Sequence, residues 1–155
     1  MAFDTPSLKG RALRLLSSRE HSRLELERKL RSFEEEPGSL ARALDELQAK
    51  GFISEQRVLE SVVNRRAGRL GAQRIQQELQ AKGLNPETVA VAVADLRATE
   101  LARAHEVWCK KFGTAVTEPR ERARQVRFLA SRGFSGDVIR RVVAGVADEL
   151  DADGL

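Results

Sequence analysis

Histidine and cysteine are the residues most often used for catalysis or metal binding, and this sequence has few of them. Its complete set is His21, His105 and Cys109, whereas a zinc site needs about four ligands at fixed spacing. The three residues are too few and too scattered for such a site, and no serine or cysteine has a histidine partner in a catalytic motif. We therefore expect no bound metal, no cofactor and no enzymatic activity.

A glycine-rich phosphate loop is not predicted either. The segment Gly68-Arg69-Leu70-Gly71 lacks the lysine and the hydroxyl residue of a P-loop, and it follows no predicted strand. Its glycines are better explained by the end of one helix and the start of the next. Nucleotide chemistry therefore has no support in the sequence.

Basic residues carry the main functional signal. Arg120, Arg124 and Arg127 fall at i, i+4 and i+7 and so share one strip of a predicted helix. Between residues 110 and 132, seven Lys and Arg residues outnumber two Glu residues, an excess larger than the net +4 of the whole chain. The candidate residues for binding a partner or DNA are Arg65, Arg66, Arg69, Arg74, Lys110, Lys111, Arg120, Arg124 and Arg127. Such a concentration favours a polyanionic target.

A plainer explanation exists for each arginine taken singly. Arginine is a good helix former, and many exposed arginines only solvate a helix face or pair with a glutamate. The strip and the cluster Arg65, Arg66 and Arg69 are together less easily explained in this way. Neither is interleaved with exposed aromatic residues, so base stacking is not indicated. The expected targets are phosphates or an acidic protein surface.

The elements that must position these arginines are helices arranged in repeats. The apolar residues Leu26, Leu30, Leu40, Leu44 and Leu47 stand 49 positions before Ile75, Leu79, Val89, Val93 and Leu96, and an offset of about 50 then leads to Leu129, Ile139, Val143 and Val146. Gln125 is polar where Ile75 is apolar, and we expect Val126 to take over its face. The first helices match at an offset of 46, in Ala12 and Leu16, Val58 and Val62, and Ala104 and Trp108. The pattern predicts three tandem three-helix units.

Unit boundaries follow from the helix signals. We expect a tail over 1–6, units over 7–52, 53–98 and 99–150, and an acidic tail over 151–155. Ser22-x-x-Glu25 is a capping box, and Asn85-Pro86 places a cap before a proline at the first helical position. Gly83 supplies the left-handed residue that ends a helix.

Composition supports an all-α protein. The 155 residues include no tyrosine and few aromatic residues, so the core must be built from leucine, valine and alanine, and no segment alternates like a strand. Trp108 and Cys109 are interpreted as core residues.

No apolar run approaches the roughly 20 residues that span a bilayer, and the first residues lack the pattern of a signal peptide. One cysteine fits a reducing compartment, and we expect a cytoplasmic protein with no membrane partner.

Four segments follow one another along the chain: residues 12–26, Gly51-Phe52-Ile53-Ser54, Arg74-Ile75-x-x-Glu78-Leu79-x-x-Lys82-Gly83 and Phe128-Leu129-x-x-Arg132-Gly133-Phe134-Ser135. In this order they resemble the RecX family of bacterial recombination regulators. Each segment alone contains only the helix-forming and capping residues that many helical proteins share, but the four segments together cover nearly the whole chain in order. Leu59 and Val63 depart from the pattern, since larger or aromatic residues are expected there.

The resemblance implies a fold and a function. The three repeats would form an elongated, curved rod that binds the RecA recombinase filament along its helical groove. Binding would modulate, and mainly inhibit, the ATPase, strand-exchange and co-protease activities of RecA in DNA repair and the SOS response. Single-stranded DNA inside the filament would be a further partner, and the free protein would be a monomer.

Two other functions fit the residues themselves. A sequence-independent DNA-binding protein that acts without RecA would use the same basic segment. A helical scaffold for some other protein fits the repeats but leaves the charge unused.

Overall fold

A computed structural model of the chain describes residues 5–145, which contain nine α-helices, one short 3-10 turn at Arg31–Phe33 and no strand. The first unit holds α1 (Leu8–Ser18), α2 (Arg23–Leu30) and α3 (Ser39–Ala49). The second holds α4 (Glu55–Arg66), α5 (Ala72–Ala81) and α6 (Pro86–Ala98), and the third holds α7 (Glu100–Lys111), α8 (Pro119–Ser131) and α9 (Gly136–Val143). The all-α prediction is confirmed. Val146 and the acidic segment 151–155 lie outside the described residues.

Helix ends follow the predicted capping chemistry. The Ser22 hydroxyl accepts a hydrogen bond from the Glu25 N–H at 3.2 Å, and the Glu25 carboxylate accepts one from the Ser22 N–H at 3.1 Å. The Asn85 side chain caps α6 directly before Pro86. Gly83 follows α5 with a φ of 74°, a conformation that other residues avoid. Local sequence therefore determines where several of the helices begin and end.

Each unit has its own hydrophobic core. The first core contains Ala12, Leu26, Leu30, Leu40, Leu44, Leu47 and Ile53, and the second is centred on Val58, Val62, Ile75, Leu79, Val89, Val93 and Leu96. The third contains Ala104, Trp108, Leu129, Phe134, Ile139, Val142 and Val143. Residues predicted to be equivalent are buried together in these clusters, which confirms the repeat pattern.

Gln125 corrects one expectation in the third core. Its side chain is buried and occupies the place of Ile75, while Val126 is only half-buried. The amide oxygen of Gln125 accepts a hydrogen bond from the indole N–H of Trp108 at 2.9 Å. A buried indole needs an acceptor, so a polar residue at this position is stabilising.

Cys109 corrects a second expectation, because it is exposed rather than buried. Ala104 and Trp108 take the inward face of α7, and the residue after Trp108 is turned by about 100° around the helix axis. The thiol lies 3.5 Å from Nε2 of His105. Trp108 itself is a core residue, as expected.

The first and second units meet through the ends of their second helices. Lys82, after α5, pairs with Glu25 of α2 at 3.0 Å, and Arg28 donates to the Ala81 carbonyl. A side chain at Gly83 would press against Leu24. This joint therefore combines an ion pair with a close approach of the two units.

The second and third units meet in a similar way, with α5 against the loop after α8. The Gly71 N–H donates to the Arg132 carbonyl at 2.8 Å, and Arg74 donates to the Ser131 carbonyl at 2.7 Å. A Cβ atom at Gly71 would overlap the Gly133 carbonyl, and one at Gly133 would overlap Arg74. The backbones approach closely only because both positions are glycine.

Two side chains from one turn of α7, Glu100 and Arg103, also contact the second unit at this joint. The buried carboxylate of Glu100 accepts a hydrogen bond from the Ala72 N–H at 2.7 Å, at the start of α5. Arg103 donates to the carbonyls of Ala67 and Leu70 at 2.8 and 2.7 Å, and to that of Leu96 at 2.8 Å. Two residues of the third unit thus cap helix ends of the second.

The repeat pattern predicts equal roles for Leu30, Leu79 and Leu129. Each is 2% exposed or less, so alanine at each position should lower the free energy of unfolding by about 2–5 kcal/mol through lost burial and a cavity. Urea denaturation measures this. Val91→Ala, at a residue 66% exposed, is the control and should cost about 0.5 kcal/mol or less. Unchanged stability in two of the three leucine variants would contradict the equivalence.

Candidate functional site: a cationic surface across two units

Four arginines line a cleft at the joint between the second and third units. The cleft has a volume of about 400 Å³ and is bordered by Arg66, Arg69, Arg74 and Arg132. Glu78 is the acidic residue in its lining. The first three arginines come from the second unit and Arg132 from the third. The folded joint therefore assembles a positive site that neither unit forms alone.

Hydrogen bonds fix two of the four guanidinium groups. Arg66, at the end of α4, donates through Nε to Glu78 at 3.1 Å. Arg74 is held by the Ser131 carbonyl across the joint. Arg69 is exposed, as is Arg74 for much of its surface. The cleft thus combines anchored arginines with one that extends into solvent, a suitable arrangement for an oxyanion or carboxylate group.

A pair of phenylalanines continues the surface along the third unit. The rings of Phe112 and Phe128 are half-buried and meet edge to face, with centroids 5.4 Å apart. Cationic groups lie near them, since Lys111 is 5.4 Å and Arg132 5.0 Å from the Phe128 ring, while Arg124 is 5.9 Å from the Phe112 ring. These distances are in the range of cation–π interactions. The sequence predicts no exposed aromatic residue among the basic residues, and these two rings are half-buried rather than exposed.

Arg132 joins the two parts. It borders the cleft and also lies over Phe128. Because of this residue, Arg66, Arg69, Arg74, Arg132, Phe128, Lys111, Phe112 and Arg124 form one continuous patch, which we call the cationic surface. The sequence places the arginine cluster and the arginine strip on separate units, and the fold links Arg66 and Arg69 of the cluster to Arg124 of the strip through Arg132 and the two phenylalanines.

Some of the predicted site residues do not join this patch. Arg65 is exposed and donates to the Ser61 carbonyl of its own helix at 3.3 Å. Lys110 pairs with Glu106 at 3.6 Å on the exposed side of α7. Arg120 and Arg127 are exposed on α8 and line neither the cleft nor the phenylalanine pair. They extend the positive charge of the third unit without entering the cleft.

Sequence reasoning missed Arg132, Phe112 and Phe128 as site residues. Arg132 follows α8 and precedes Gly133, a position that indicates only a helix end. Phe112 stands four residues after Trp108, a spacing that indicates only another inward-facing residue of the same helix. Phe128 stands four residues after Arg124 and four before Arg132, which puts the three on one face. That spacing was the available signal.

Arg103, at the joint beside the cleft, is partly removed from solvent. Burial lowers the pKa of Arg103, and the nearby carboxylate of Glu100 opposes that shift.

Within residues 5–145, no group of three His, Cys, Asp or Glu side chains is arranged to hold a metal ion. No helix in this range is long and apolar enough to cross a bilayer.

Fold and site together define a class of protein: a tandem helical-repeat protein with a cationic surface that spans two of its units. Models of the first, second and third three-helix domains of RecX match residues 9–47, 54–93 and 98–143. The regulatory protein RecX of Leptothrix cholodnii is 51% identical over 155 residues, covering 99% of both chains. That of Ralstonia pickettii is 47% identical, covering 96% of this chain and 92% of its own. The chain belongs to the RecX family of regulatory proteins.

Solved structures agree on the fold. The crystal structure of RecX from Lactobacillus salivarius superposes with a TM-score of 0.68 at 22% identity, covering 94% of this chain and 95% of that one. A second crystal structure of a regulatory protein RecX gives a TM-score of 0.71 at 21% identity, covering 87% and 70%. The repeat architecture is therefore shared by distant relatives.

Glu25, at the joint between the first two units, has a pKa far below the usual value of a carboxylate. Burial would raise its pKa, but hydrogen bonds from Arg19, the Ser22 N–H and Lys82 outweigh burial and lower the pKa to about 2 from 4.5. The folded state thus binds this proton less tightly than the unfolded state. Its stabilising contribution is complete above pH 4.5 and is lost as the pH falls toward 2.

Replacing Glu25 with glutamine should therefore remove part of the acid dependence of stability. We expect the variant to be less stable at pH 7 and to lose less further stability than the natural protein between pH 5 and pH 2. Denaturant titrations across this range measure it. Glu106→Gln is the control, because Glu106 and its partner Lys110 are both well exposed. Equal acid slopes for natural protein and Glu25→Gln would contradict the assignment.

Proposed function

We propose that this protein binds the RecA recombinase filament along its helical groove and inhibits the filament's ATPase, strand-exchange and co-protease activities. Membership of the RecX family supports a regulatory role. The observation that carries the proposal is the cationic surface across two units, because positive groups on both units can contact a partner that presents several negative groups. Single-stranded DNA inside the filament and acidic patches on RecA are both such groups.

The repeat architecture suits a filament. Three units in one chain present several modest contacts at fixed spacing, and contacts linked in this way gain affinity without any new interaction. The second joint fixes the cleft of Arg69 and Arg74 against the phenylalanine pair of the third unit. A partner that spans both parts therefore meets a surface already in place, which lowers the entropic cost of binding.

Direct binding of single-stranded DNA without RecA is the second candidate function. The observation that favours it is the pair Phe112 and Phe128 with cations nearby. Single-strand-binding proteins combine a positive groove with aromatic rings on which bases stack. The filament remains the first candidate because the rings are half-buried, so they offer less stacking surface than an exposed platform.

Charge reversal on the cationic surface tests the proposal. Arg69→Glu and Arg124→Glu change exposed residues, so the fold should keep its stability within about 0.5 kcal/mol. Each should weaken inhibition of the DNA-dependent ATPase of RecA at least tenfold in the concentration required. Arg97→Glu changes the charge equally at an exposed residue of α6 outside the surface, and should leave inhibition unchanged.

A binding comparison separates the two functions. At about 0.15 M salt, charges more than roughly 8 Å apart are largely screened and nonspecific attraction to DNA is weak. We expect RecA-coated single strands to be bound much more tightly than bare strands. Equal binding to both, with Arg69→Glu and Arg124→Glu weakening them equally, would refute the filament proposal in favour of direct DNA binding.

A further inference from the structure

An apolar groove runs between α4 and α6 in the second unit. Its volume is about 610 Å³, and its apolar lining consists of Leu59, Val63, Ala67, Val91, Ala92 and Leu96. Val91 is 66% exposed. A large apolar groove with an exposed aliphatic side chain is a common feature of protein interaction sites.

The other two units close the corresponding space. In the first unit α1 packs against α3, and in the third α7 packs against α9. In the second unit α4 packs on α5, and α5 on α6, but α4 and α6 are not close neighbours. The groove is therefore a property of the middle unit, where the first and third helices stand apart.

Two of the residues that line the groove, Val63 and Val91, are also specific to the middle unit. By the repeat offsets, Val91 corresponds to Arg42 in the first unit and Arg141 in the third. Val63 corresponds to Ser17 and Cys109. The same positions thus carry polar or small residues on either side and aliphatic ones in the middle. Solvent exposure of aliphatic groups is unfavourable unless a partner covers them.

Polar residues at the rim indicate what kind of partner fits. Glu60 and Asp95 border the groove, whereas the guanidinium of Arg103 is engaged by the carbonyls of Ala67 and Leu70. The rim is therefore acidic. Two copies of the chain joined groove to groove would bring these carboxylates together, which disfavours a symmetric dimer.

We propose that this groove binds an amphipathic helix of a partner protein, with apolar side chains inserted between α4 and α6 and Lys or Arg residues facing Glu60 and Asp95. Helices recognised in this way anchor residues at helical spacing in an apolar groove. The inference rests on the proposed function, in which the partner is the RecA filament, and it assigns the apolar part of that contact. The cationic surface and the groove would then bind different features of the same partner.

The sequence itself offers a test, because the first and third units show which residues this position tolerates. Val91→Arg introduces the residue of Arg42 and Arg141, and Val63→Ser introduces that of Ser17. Ala90→Arg is the matched control, since Ala90 is exposed on the opposite side of α6 and the change adds the same charge. Cosedimentation with RecA filaments on single-stranded DNA measures binding, with bare DNA in parallel.

We expect Val91→Arg and Val63→Ser to weaken filament binding at least tenfold. Ala90→Arg should bind filaments as the natural protein does, and all variants should melt within a few degrees of it. If the natural protein binds filaments and both groove variants bind them equally well, the groove inference is overturned and the proposed function stands. No binding by the natural protein itself would overturn both. A dimer of the natural protein that Val91→Arg dissociates would assign the groove to a second copy instead.

Discussion

The interaction on which the second joint depends is the pair of contacts made by Glu100 and Arg103 from a single turn of α7. Gly71 is the N-cap residue of α5 and has no side chain to cap the helix, and the Glu100 carboxylate supplies that cap from the next unit. Arg103 meets the carbonyls that follow α4. The buried carboxylate of Glu100 and the half-buried guanidinium of Arg103 would be costly if they were not hydrogen-bonded. Here their partners are helix ends, which are themselves unsatisfied without them.

This arrangement explains why the site lies where it does. Because α7 holds the segment between α4 and α5, the arginines of that segment have a fixed position relative to the third unit. The close approach of Gly71 and Gly133 then brings Arg132 into the cleft. The first unit caps α2 with its own Ser22 and Glu25, so its joint depends more on the pair of Glu25 and Lys82. The two joints are similar in geometry and different in chemistry.

Sequence patterns predicted the helix ends, which depend on local residues, and the core positions, which repeat periodically along each helix. Ser22, Asn85 and Gly83 were identified as helix signals because caps depend on neighbouring residues, and the core leucines because burial repeats along a helix. Contacts between units lack such a pattern. Glu100 resembles any acidic residue in a first helical turn, and its burial depends on where α5 begins.

The candidate site follows the same division. The arginines of α8 were found from their spacing, whereas Arg132 and Gln125 acquire their roles from residues of other helices. Cys109 and Trp108 are adjacent in sequence, yet helix rotation exposes one and buries the other. Composition and spacing therefore indicated a basic helical repeat, and only tertiary contacts show that Arg66, Arg69, Arg74 and Arg132 meet in one cleft.

We expect the second and third units to move as one body, because Glu100 and Arg103 hold their joint. Spin labels at Ala90→Cys in α6 and Ala130→Cys in α8, with Cys109→Ser, allow double electron–electron resonance to measure the distance between the units. We expect one narrow distance distribution, which broadens when Arg103→Met is added while circular dichroism shows the helices intact. A broad distribution before that change, or no broadening after it, would contradict this role of Glu100 and Arg103.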